Sequence, residues 1–239
     1  MKNTFLAFFI AVLVPVGFFL YFDGQGPPKR LKLKRYIALE ADHPQPNKIL
    51  KKDTLWHTIA DFEFLGHTGK KVTHETFADK IYVADFFFTH CPGICPKMTS
   101  QLQRLQFEYR DDDEVMILSH TVDPVRDTLA RLAEYAENYE VDSSKWLLVT
   151  GDKVDLYRQA RQSYKITATE GDGGEEDFVH SEKVVLIDKD RIIRGYYDGT
   201  DTLDVNQLMR DIKILQLEYP KDDNKIKYVK PTDKEAKAS

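Results

Sequence analysis

FFFTHCPGICP, residues 86–96, holds both cysteines of the chain, Cys91 and Cys95, four positions apart and each followed by a proline. The run leading into it, KIYVADFFFT (residues 80–89), is almost continuously apolar, the pattern of a strand buried on both faces of a helix-covered sheet. The stretch after it, KMTSQLQRLQFEYR (residues 97–110), sets Met98, Leu102, Leu105 and Tyr109 on one helical face. Two thiols between a buried strand and a helix stand at the carboxyl edge of a sheet, where α/β folds build their sites. At this point a disulfide, a redox couple, a metal clamp and a buried apolar pair are all open readings.

Outward from this stretch, strand and helix patterns alternate. IADFEFLGHTGKKVT (residues 59–73) reads as a hairpin turning at Thr68-Gly69. EVMILSHTV, KWLLVT and KVVLIDK read as strands, with RIIRGYYD as the hairpin partner of the last. DTLARLAEYAENY, KVDLYRQARQSY and DVNQLMRDIKIL read as helices. Strands separated by helices predict an α/β domain, a mixed sheet flanked by helices with an N-terminal hairpin, over residues 57–218. One connection breaks the rhythm: KITATEGDGGEED (residues 165–177) is rich in glycine and acid and leads to His180, and loops of this length tend to be functional.

The 239 residues are 42% apolar, enough for one substantial core. With 34 basic and 39 acidic residues the net charge is −5, and no basic stripe interleaved with aromatics appears, which argues against nucleic acid as a partner. Phe5 to Phe22 is an uncharged, mostly apolar run of membrane-spanning length, so residues 1–22 are expected to be a transmembrane anchor. No small-residue cleavage site follows it, which favours an uncleaved anchor over a signal peptide. Residues 23–56 mix glycine, proline and charge and read as a linker; residues 219–239 are polar and lysine-rich and read as a disordered tail. Lys29, Arg30, Lys32, Lys34 and Arg35 follow the anchor, and the positive-inside rule alone would keep the domain in the cytoplasm.

A cysteine near the positive end of a helix is biased towards thiolate, the form that binds metal or attacks disulfides. Pro92 and Pro96 suit a turn and a first helical turn, where amide donors are not needed. The redox signature is usually C-x-x-C, whereas the spacing here is C-x-x-x-C. Two thiolates alone leave most metals under-coordinated, so a metal reading requires a third ligand. Of the seven histidines, His43 falls in the linker, and His57, His67 and His74 fall near the hairpin and are expected to be solvated. His90 is expected to point away from the cysteines and to pack beside them, and His120 is read as structural. His180 opens the strand expected to pair beside the cysteine strand, and is the candidate for the third ligand.

Three motifs in order, FFFTHCPGICPKM, TVDPVRDT and FVHSEKVVLIDKDRIIRGYYDG, resemble the Sco (SenC) family of thioredoxin-like copper proteins across roughly residues 57–215. The resemblance implies one N-terminal membrane helix and a domain facing the periplasm or the mitochondrial intermembrane space. It implies a role in assembling the dinuclear copper site of cytochrome c oxidase, with copper received from an upstream donor and passed to the oxidase's copper-site subunit. It implies that Cys91, Cys95 and His180 hold one copper ion, as Cu(I) or Cu(II), and that Asp123 stands beside the metal without binding it. Asp123 reads equally well as a turn or helix-capping residue. Where the family often carries acidic residues, this chain has Gly93 between the cysteines and Val179 before the histidine, so the rim loses negative charge.

Other readings of the same residues remain. A Cys91–Cys95 dithiol could keep the oxidase's copper-ligand cysteines reduced, making the protein a thiol-disulfide reductase. Thioredoxin-type oxidoreductases carry a cis-proline before the strand facing their cysteines, and this chain has no proline between Pro124 and Pro220. A peroxidase fits the motif poorly, and zinc suits a Cys₂His ligand set with an open position.

Overall fold

The computed structural model describes residues 32–35, 56–166 and 181–219. The chain divides into two compact units, Met1–Lys32 and Leu33–Ser239, and every element below belongs to the second. The expected anchor at residues 1–22, most of the 23–56 linker, the loop from residue 167, His180 and the tail beyond Tyr219 lie outside the described residues. Among those described, no helix is long and apolar enough to cross a membrane.

The strands are β1 (Glu63–Gly66), β2 (Lys71–Thr73), β3 (Ile81–Phe87), β4 (Val115–Thr121), β5 (Trp146–Thr150), β6 (Lys183–Ile187) and β7 (Ile193–Asp198). The helices are α1 (Ile94–Glu108), α2 (Leu129–Asn138), α3 (Lys153–Arg158) and α4 (Thr202–Glu218). They form one mixed sheet in the order β2-β1-β5-β4-β3-β6-β7. β3, β4 and β5 run parallel, from Ile81↔Val115 to Phe87↔Thr121 and from Ile117↔Trp146 to His120↔Val149. β6 lies antiparallel to β3, with Tyr82 opposite Ile187 and Ala84 opposite Val185. The N-terminal end of β6 therefore comes to the edge where β3 ends.

β3 is buried along its whole length because helices cover both faces of the sheet. Ile81, Val83 and Phe87 face α1, α2 and α4, and Cys91 and Cys95 belong to that same apolar cluster. Tyr82, Ala84 and Phe86 face the other way, towards the hairpin and α3. The helical stripe expected in α1 is the buried one, Met98, Leu102, Leu105 and Tyr109 all being inaccessible. Each such large apolar side chain contributes about 1.5–3 kcal/mol, so the stripe fixes α1, and with it the two cysteines, against the sheet.

The hairpin turns where the sequence places it, with Gly69 at φ 78°, a left-handed conformation glycine adopts without penalty. The helix expected over KVDLYRQARQSY is not uniform. It widens into a π-helical turn at Gln159–Ser163, where the Gln159 amide donates to the Asp61 carbonyl (3.1 Å) and the Tyr164 N–H reaches back to the Gln159 carbonyl (2.9 Å). His67 departs from the solvated position expected of it: it is buried, and its Nδ1 accepts the Leu148 N–H (3.2 Å). Leu33, within the stretch read as a linker, packs on the domain, and Arg194 donates to the Leu33 and Lys34 carbonyls as well as to Asp188 and Glu218.

Two buried titratable groups sit in adjacent central strands on opposite faces. Asp85 is inaccessible and accepts from Ser119 Oγ, which in turn accepts from Trp146 Nε1 (2.8 Å); burial pushes its carboxyl up to about 7. His120 is fully buried, stacked on Phe86 at 4.6 Å, and its Nε2 has no hydrogen-bond partner among the described residues; burial drives it down to about 3. The native state thus binds the extra proton at Asp85 between the ordinary carboxylate range and about pH 7, and the unfolded state binds it at His120 between about pH 3 and the ordinary imidazole range. Stability from Asp85 falls as pH rises through that window, and stability from His120 rises. Urea unfolding from pH 4 to pH 7 is expected to show Asp85→Asn gaining stability relative to wild type as pH rises, and His120→Phe losing it. Parallel pH profiles for the three proteins would refute both assignments.

Candidate functional site

The two cysteines bracket the start of α1. After β3 the chain makes a tight turn in which the Cys91 N–H donates to the Phe88 carbonyl (3.3 Å), and Gly93 then occupies the N-cap position of α1. The other three helices are capped by a side-chain oxygen: Thr128 for α2, Asp152 for α3 and Asp201 for α4. α1 has no such cap, so its first N–H groups, orphaned in any helix, remain for Cys91. Open space surrounds the position where a Gly93 side chain would stand. The missing acidic residue is therefore a change of chemistry and not one that packing demands.

Both thiols are free and buried, Cys91 8% and Cys95 3% accessible. They differ chemically. Burial by itself would raise Cys91, but hydrogen bonds from the N–H groups of Cys95, Gly93 and Ile94 and from the Cys95 thiol outweigh it and lower the Cys91 pKa. Burial pushes Cys95 up to about 12, its proximity to Cys91 adding to the shift. Cys91 is thus the thiol that gives up its proton more readily, and Cys95 the one that keeps it.

Around the turn stand groups from the β4–α2 loop. Asp123 lies 3.5 Å from His90 Nε2 and 3.8 Å from Arg126 Nε, and Arg126 also donates to His90 (2.9 Å). His90, beside Cys91 in sequence, is held in this rim group and packs edge-on against Phe88. Asp123 also serves as a turn residue, its carbonyl accepting the N–H groups of Arg126 and Asp127; the cap of α2 is Thr128.

Two carboxylates that sequence reasoning passed over are central. Asp85 lies inside the apolar run of β3, on the cysteine-bearing face, and contributes repulsion that raises the Cys95 pKa. The signal was an acidic residue at the in-phase position between Val83 and Phe87, where an apolar one is expected. Asp127 is wholly inaccessible and accepts from the Thr89 N–H (3.1 Å), the Thr89 hydroxyl and the Thr121 hydroxyl.

His180 lies outside the described residues. The chain re-enters at Ser181, which is buried and accepts the Lys183 N–H (3.1 Å) at the start of the β6 arm. Among the described residues no three His, Cys, Asp or Glu side chains are grouped to hold a metal ion. His57 bonds the Ser163 carbonyl (2.7 Å) and His74 lies 3.5 Å from Asp61, both on the hairpin side.

Comparison with known proteins places this geometry. A family model described as SCO1/SenC matches residues 51–216. The chain is 29% identical over 164 residues to the SCO1 protein homolog of Bacillus subtilis (strain 168), covering 68% of this chain and 84% of that protein. It spans 50% of the mitochondrial SCO2 homolog of Danio rerio and 63% of that of Bos taurus, each 30% identical. Among solved structures it matches BsSco, reported as a member of the Sco family of cytochrome c oxidase assembly proteins with a disulfide switch. That match is 28% identical, with a TM-score of 0.57, and covers 69% of this chain and 96% of that one. The fold is also that of Arabidopsis thaliana ScoI, solved with copper bound (24% identical, TM-score 0.53, 67% and 98% coverage).

The thiol asymmetry is directly measurable. On brief treatment of the reduced protein with iodoacetamide near pH 7, peptide mass spectrometry is expected to find Cys91 modified at least about tenfold faster than Cys95. Equal rates, or Cys95 first, would refute this ordering of the two thiols.

Proposed function

The chain belongs to the SCO1/SenC family, and from that premise we propose that it is a membrane-anchored copper-binding accessory protein for assembly of the dinuclear copper site of cytochrome c oxidase. In this reading Cys91, Cys95 and His180 hold one copper ion as cargo. The observation that carries it is the convergence of two free thiols and the β6 arm on one sheet edge. Ser181, where the described chain resumes at the start of that arm, follows His180 in the sequence. Soft thiolates suit Cu(I), and an added imidazole accommodates Cu(II). Three ligands leave a metal exchangeable, in contrast to a closed Cys₄ zinc site. Asp123, already engaged by His90 and Arg126, sets the charge at the rim without binding the ion.

The domain is assigned to the outer, periplasmic face of the cytoplasmic membrane, tethered by residues 1–22, because an oxidase copper site of this kind faces outward. The basic cluster from Lys29 to Arg35 opposes that orientation, so function and charge make opposite predictions. A reporter enzyme active only outside the cytoplasm, fused after Ser239, is expected to be active; activity only of a cytoplasmic reporter would reverse the assignment.

The difference between the thiols supports a second reading, a thiol-disulfide reductase. The Cys91 thiolate would attack one sulfur of a target disulfide, releasing the other target sulfur as a thiolate that takes up a proton. Cys95, losing its proton, would then attack the Cys91 sulfur, freeing the second target thiol and leaving a Cys91–Cys95 disulfide. Two electrons pass to the target, and an external dithiol must supply them again.

His180→Ala separates the two. As a copper carrier, the variant is expected to lose at least about tenfold in Cu(II) affinity, with an altered thiolate-to-copper absorption band, and to lose oxidase copper assembly. As a reductase it keeps assembly. Unchanged Cu(II) spectrum and affinity in His180→Ala would overturn the three-ligand site.

A further inference from the structure

Cys91 is buried in the apolar cluster, but apolar packing is not directional, and its N–H is bonded within its own turn, to the Phe88 carbonyl; Gly93 has no side chain to pack. The strong connection to the body of the domain is made two residues earlier, at Thr89. Its N–H and its hydroxyl both donate to the Asp127 carboxylate, which also accepts from the Thr121 hydroxyl at the end of β4. Arg131 Nε adds a contact to the Thr89 hydroxyl at 3.3 Å. Asp127 is 0% accessible. A buried carboxylate is tolerated only where donors satisfy it, and it here binds together the cysteine turn, the neighbouring strand and the loop leading to α2. Capping does not account for it, since Thr128 caps α2.

We infer that Asp127 is the positioning residue of the Cys91 turn, setting where the Cys91 sulfur stands relative to Cys95 through the hydroxyls of Thr89 and Thr121. For the metal's part this rests on the copper reading above; for the relation between the two thiols it does not.

The test uses the full chain, reduced and metal-free, equilibrated with glutathione. One glutathione disulfide oxidises the two thiols to a Cys91–Cys95 disulfide and yields two glutathione thiols. The equilibrium constant measures the effective concentration of one cysteine at the other, a quantity that records preorganisation. Thr89→Val removes the hydroxyl donor while keeping the backbone N–H; Thr89→Ser keeps both. Thr121→Val removes the opposite arm and leaves the contact of Arg131 with Thr89 in place. Ile212→Val trims the core of α4 as a control for lost stability. Expected are falls of about five- to tenfold in Thr89→Val and Thr121→Val, with Thr89→Ser and Ile212→Val near wild type. In copper-loaded protein, transfer to a chelator is expected to quicken in the same two variants. An unchanged or increased effective concentration in either Val variant at these threonines, or an equal fall in Ile212→Val, overturns the inference. A wild-type protein that holds no copper defeats the proposed function, and the glutathione measurement still decides this one.

Discussion

The first turn of α1 lacks the side-chain cap that α2, α3 and α4 have, and the electrostatics of the cysteine turn follow from that. Orphaned N–H groups at a helix start must be satisfied by something. Here the N–H groups of Gly93, Ile94 and Cys95 hold the Cys91 pKa down against its burial, so the donors left over at the helix start favour negative charge on that sulfur. A Ser or Asp at position 93 would compete for the same donors. Gly93 has no such side chain, and the open space around it shows that packing does not require a glycine there.

The rest of the domain keeps that helix start in place. The buried stripe of α1 fixes the helix on the sheet, and parallel pairing of β3 with β4 brings the end of one strand beside the loop that follows the other. Asp127 joins those two ends through Thr89 and Thr121. Antiparallel β6 then brings a third segment to the same edge. The two faces of the sheet are chemically distinct. The cysteines and Asp85 share the face covered by α1, α2 and α4, whereas His120 is enclosed by aromatic rings on the other. A histidine in a strand neighbouring the cysteine strand is thereby kept neutral and out of reach of the thiols.

Much of this was legible in the residues. The seven strands and four helices follow the apolar periods, the hairpin turns at Thr68-Gly69, and the cysteines stand between a buried strand and a helix. His120 is buried among aromatic rings, and His90 stands at the rim with Asp123 and Arg126. Other features were not legible, for identifiable reasons. His67 reads as a polar residue in a turn, yet it is buried because Leu148, 81 positions away, supplies a donor to its ring. The widened turn at Gln159 depends on a carbonyl 98 positions away. In VDPVRD two acidic residues look alike. Asp123 faces Arg126 and His90 at the rim while Asp127 is sealed beneath the turn, and the approach of Thr89, 38 positions away, distinguishes them.

Local pattern was sufficient for the elements because hydrophobic period, turn residues and cysteine spacing act over a few positions, and there the chain is its own environment. It sufficed as well for the kind of chemistry, since two thiols at a helix start are biased towards thiolate wherever they occur. Which thiol loses its proton more readily, which carboxylate lies sealed beneath the turn and which histidines are buried came only from the tertiary structure. Those properties depend on burial and on donors supplied by distant strands, and desolvation acts on a group only once the whole sheet has closed around it.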